Sequence, residues 1–139
     1  MEGENELSRI ETELRKKGKE LFKIVHALVE DLPKTPETEY AASFMLEDVT
    51  KINAKLAGAS GDQLYAIKMQ NAAIIRQAAL DLYVSKHHFT PFAYKNTAYF
   101  DLLRNCIDEF RELFMDWVAA CDVRNYVKDD WGLFNPPGV

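Results

Sequence analysis

The three histidines, His26, His87 and His88, are the side chains of this 139-residue chain best suited to bind a metal ion. Imidazole nitrogen is a common ligand for borderline metals, and two or three such rings with one carboxylate make a zinc-type set. Glu30, Asp31, Glu37 and Glu39 lie near them in sequence or, if the helices pack antiparallel, at the same end of the molecule. His26 stands six residues before Leu32, about 9 Å below the helix end at 1.5 Å per residue, so convergence with His87 or His88 is open but unforced. The alternative is that His26 is a half-buried side chain. His87 and His88 would then be solvated residues favoured by the helix dipole. Glu30 and Asp31 at a helix C-terminus call for a cation, which Lys34 can supply.

A second polar pair sits in the least interrupted apolar stretch, LYAIKMQNAAIIRQAALDLYV from Leu64 to Val84. Asn71 falls within the Ile67, Ile74, Ala78 face, and Lys68 and Arg76 also break apolar surface. Five residues separate Asn71 from Arg76, about 140° around a helix, so the two cannot line one narrow site. Tyr40, Tyr83 and Asp108 are candidate neighbours. The structural reading gives Asn71 a buried hydrogen bond that fixes helix register and Arg76 a carboxylate partner.

Other chemistry lacks its parts. There is no Glu-x-x-His for a di-iron bundle, and no arginine followed four to six residues later by histidine as in helical ribonucleases. Glycine-rich phosphate loops, Cys-x-x-Cys and His-Glu-x-x-His are missing too. Cys106 and Cys121 lie on one expected helix about 22 Å apart, too far to bridge, and read as buried thiols in a reducing compartment.

A net charge of -5 argues against a nucleic-acid surface. No run approaches the roughly 18 apolar residues of a membrane span, and MEGENELSRIE is too acidic for a signal or transit peptide. A cytoplasmic protein, with residues 1–139 forming one domain, is the expectation.

Positioning falls to four helices, read from three- and four-residue apolar spacing at about 5–32, 36–57, 61–87 and 96–121, with a tail over 122–139. Ser8 with Glu11 is a candidate capping box in the first, and Gly18 weakens its middle. Pro33 ends that helix, and Thr35-Pro36 caps and opens the second. Gly58 to Gly61 breaks the chain again, with Ser60 and Gln63 as another capping pair. The third helix, apolar around most of its circumference with Gln70, Gln77 and Asp81 as its wet sector, is expected to be the most buried. The fourth begins either at Thr90-Pro91 or at Asn96 or Thr97, and carries Leu103, Cys106, Ile107, Phe110, Phe114 and Trp117 on one face. Short links imply an all-α, antiparallel up-down-up-down four-helix bundle. Tyr126, Val127, Trp131, Leu133 and Phe134 imply an ordered C-terminal tail packed on it.

Surplus apolar surface without convergent reactive groups leads to a non-enzymatic protein that acts through a protein partner or self-association, as a homodimer through the fourth helix or the tail. No cofactor is expected on this reading. The alternative is a metal-assisted enzyme or small-ligand binder that uses a divalent ion at the histidine-rich end.

Overall fold

Two prolines set the first corner of the molecule. Pro33 disfavours helix in the residue before it, and Pro36 supplies a ready-made first helical position. Between them Thr35 caps the second helix: its hydroxyl accepts from Thr38 N–H at 3.2 Å, while its own N–H donates to Thr38 Oγ1 at 3.1 Å. The Thr38 hydroxyl also donates to Pro33 O, which ties the corner to the chain before it.

The computed structural model describes residues 2–59, 64–89 and 97–138, with side chains from residue 6 onward. These form α1 (Glu2–Asp31), α2 (Pro36–Gly58), α3 (Tyr65–Tyr83), a 3₁₀ turn (Ser85–His88) and α4 (Ala98–Ala120), with no β-strand among the described residues. α1 begins before residue 5, so Ser8 lies inside it and cannot cap it. α3 stops at Tyr83 instead of running to residue 87. Thr97 stands at the N-cap of α4 without a side-chain capping bond. The other proposed caps, Ser60 with Gln63, Thr90-Pro91 and Asn96, lie outside the described residues.

Cross-helix pairs give the topology. Lys17 Nζ meets Glu109 at 2.6 Å while Glu11 meets Trp117, so α1 and α4 run in opposite directions. Asn53 donates to Gly18 O at 3.0 Å, and Leu14 lies beside Leu56, which makes α1 and α2 antiparallel. Tyr40 faces the Val84 region and Arg104 donates to Tyr83 O at 2.9 Å, which closes the ring through α3. Leu14, Leu21, Leu28, Ile52, Ile75, Leu82, Phe110 and Trp117 meet in one core to which all four helices contribute.

Gly18 does more in this ring than weaken α1. A Cβ there would come within 2.9 Å of Leu56 Cδ1 and 3.0 Å of Asn53 Oδ1. The missing side chain lets α2 approach closely enough for Asn53 to bond the exposed side of an α1 carbonyl.

α3 has the smallest exposed share of the four helices, as expected, but its buried arc is not the one centred on Ile67. Ile67 and Leu80 are exposed, Leu80 to 54%, whereas Lys68 is only 3% exposed. Lys68 is tolerated in the core because Glu11, itself 7% exposed, meets its ammonium at 3.5 Å. The same carboxylate oxygen accepts the Trp117 indole N–H at 3.2 Å. Buried charges need this kind of pairing to offset lost hydration.

The tail returns to the bundle at the start of α3 and also folds on itself. Tyr65 N–H, at the start of α3, donates to Asn125 O at 2.8 Å. Beyond it, Asp129 accepts the backbone N–H groups of Trp131 and Leu133 at 3.0 and 2.8 Å. Asn135 closes the loop by accepting from Asp129 N–H and donating to Asp129 O. Gly132 and Phe134 take positive φ, 77° and 54°, to make this turn.

Candidate functional site

The histidines separate. His26 is an exposed residue of α1 that rests against the Phe22 ring, centroids 4.1 Å apart. His87 is exposed on the 3₁₀ turn, and its neighbour His88 lines a groove between α2 and α3. Among the described residues, no three His, Cys, Asp or Glu side chains come together in an arrangement that could hold a metal.

Asn71 and Arg76 separate as well. Asn71 is half-buried, and its side chain takes no part in any hydrogen bond seen among the described residues; Asn53 provides the helix-to-helix amide bond expected of it. Arg76 is exposed at the mouth of a shallow apolar groove between α3 and α4, of about 260 Å³, which Tyr83 and Asp108 also line. Arg104 lies over the Tyr83 ring, 5.3 Å from its centroid. Tyr40, the remaining candidate neighbour, belongs to the α2–α3 groove instead.

Both thiols are free and buried. Burial pushes Cys106 up to about 12, and raises Cys121 as well, so neither is a thiolate at neutral pH.

The surface that stands out is the tail loop. Its four closing hydrogen bonds hold the backbone in place, yet Trp131 is 89% exposed, and Val127 and Leu133 are also largely bare. Beside Trp131 is a hollow of about 360 Å³ between the loop and the first turns of α3, with Ile67, Gln70, Leu133 and Phe134 in its walls. A projecting indole and a concave apolar hollow thus adjoin on one face. Sequence reading singled out these tail residues by type but expected them to be covered. The Asp129/Asn135 spacing was the overlooked signal, because two amide-and-carboxylate residues six apart can close a loop without a core beneath it.

No helix among the described residues is long and apolar enough to cross a membrane. Comparison of the chain with protein-family models, with curated proteins and with solved structures finds no match.

Proposed function

We propose that this protein acts through association rather than catalysis, and that the partner met by the tail face is a second copy of the same chain. The observation that carries the reading is the juxtaposition of the exposed Trp131 with the hollow walled by Ile67, Leu133 and Phe134. A two-fold contact needs a self-complementary patch, and a knob beside a hole provides one: each indole enters the other copy's hollow. Aromatic side chains bury about 150–250 Å² each, and Trp is among the residues that dominate binding energy at interfaces. Trp131 and Phe134, with Val127, Leu133 and Ile67 around them, supply much of the roughly 800 Å² per partner of an ordinary interface. The two free thiols favour a reducing, cytoplasmic setting.

Light scattering on size-separated protein tests this. A dimer is expected between about 10 and 100 μM protein, reverting to monomer in Trp131→Ser, for a contact tighter than about 10 μM. A wild-type chain that remains monomeric over that range, or a Trp131→Ser variant that still dimerises, overturns it.

A further inference from the structure

The groove between α2 and α3 carries a separate inference, at the opposite end of α3 from the tail loop. Ile67 and Asp81 are 14 residues apart, about 21 Å along the helix. The groove encloses about 470 Å³. Tyr40 and Phe44 form its aromatic wall, ring centroids 5.1 Å apart at 89°, and Met45 and Val84 add apolar surface. Asp48 and Asp81 provide its charge, and His88 stands at its edge.

The two rows come from helical spacing on antiparallel neighbours. Tyr40, Phe44 and Asp48 succeed one another every four residues along α2, and Asp81, Ser85 and His88 do nearly the same along α3 and the 3₁₀ turn. Asp48 is half-buried, and among the described residues its carboxylate makes no hydrogen bond and no ion pair. Lys51, the basic residue nearest it in sequence on α2, is drawn toward Glu47 at 3.9 Å. Asp81 accepts from Gln77 at 3.0 Å, a neutral partner that leaves its charge uncompensated. Burial first and the Asp81 charge second push Asp48 up to about 6, against the opposing pull of the Lys51 charge.

Two carboxylates in need of a counter-charge beside two exposed aromatic faces describe the complement of a cation with an apolar body. An inorganic ion would leave the aromatic wall unused, whereas a substituted ammonium uses both: the charge meets carboxylate and ring quadrupole, and the hydrocarbon covers Phe44 and Val84. We propose that the α2–α3 groove is a binding site for a small organic ammonium ion, held by Asp48 and Asp81 with its apolar portion against Tyr40 and Phe44. The site is independent of the self-association above.

The test is titration of isotopically labelled full-length protein with 2-phenylethylammonium at pH 8, read by amide chemical shifts. Saturable shifts grouped on residues 40–48 and 81–88 are expected. Neutral 2-phenylethanol should bind about tenfold more weakly, as should the amine to Asp48→Asn, since a hydrogen bond to a charged group is lost in each case. Asp81→Asn, at an exposed position where the fold is not at stake, should weaken binding in the same direction. Failure to saturate by about 10 mM, the range of Kd too weak for a built site, overturns the assignment. So do equal affinity for the alcohol, affinity indifferent to both substitutions, or displacement of the amine by equimolar calcium.

Discussion

Glu11 on α1 and Trp117 on α4 are joined at 3.2 Å by a hydrogen bond from the indole, deep in the bundle, and Lys68 of α3 meets the same carboxylate oxygen. One acidic side chain therefore links three of the four helices. Replacing Lys68 by Met strands a buried charge and should cost about 3–5 kcal/mol, a large part of the roughly 5–15 kcal/mol that holds a domain folded. The double variant Glu11→Gln, Lys68→Met removes the charge and keeps an acceptor for the indole, so urea denaturation should show most of the loss recovered. A double variant as unstable as Lys68→Met alone would show that the cluster matters for some reason other than charge pairing.

Asp48 should make stability depend on pH in an unusual direction. Its carboxyl is raised from 3.8 to about 6 in the folded chain, so between those values the folded state holds the extra proton. The ionised form above pH 6 is the destabilising one, and the penalty fades as pH falls toward 4. Glu47 and Lys51 on α2, Asp81 on α3 and His88 on the 3₁₀ turn share its surroundings and are unchanged in the comparison. Asp48→Asn should therefore gain about 1 kcal/mol at pH 8, after discounting for partial solvent screening, and nothing at pH 4. Paired thermal melts at the two pH values measure the difference.

Gly18 is the contact point of α1 and α2. Substitution by Val must displace Leu56 and Asn53, and overpacking of this kind costs about 1–3 kcal/mol. In an Asn53→Ala background, where the crowded amide and its bond to Gly18 O are gone, the same substitution should cost less. Additive losses in a double-mutant cycle would separate the two positions.

The thiols should be silent in the native state. With Cys106 raised to about 12 and Cys121 raised too, a disulfide reagent at pH 8 should modify neither until urea unfolds the chain, after which two equivalents react. Rapid reaction of one thiol without denaturant would place a cysteine at the surface.

The bundle was readable from spacing because α1, α2 and α4 each concentrate their apolar side chains on one side, and the Thr35-Pro36 cap was readable because it needs only local chemistry. α3 was harder. With apolar residues around most of its circumference, periodicity does not say which arc faces inward, so Lys68 looked like a surface interruption and Ile67 and Leu80 like core. Its true rotation is set by Glu11, 57 residues earlier, and no local pattern records that pairing. His87 and His88 fall on a 3₁₀ turn beyond α3, and which side of α1 His26 occupies depends on the same unread rotations. Asp48 went unnoticed for a simpler reason: a single aspartate in an exposed-looking EDVTK segment acquires meaning only when Asp81 and Phe44 are set beside it.

The loop that Asp129 and Asn135 close has a kinetic consequence. Its backbone is already fixed by internal hydrogen bonds, so the entropy of arranging Trp131 and Leu133 is spent when the monomer folds. Any surface that covers the indole meets a finished template instead of waiting for a floppy terminus to condense around it.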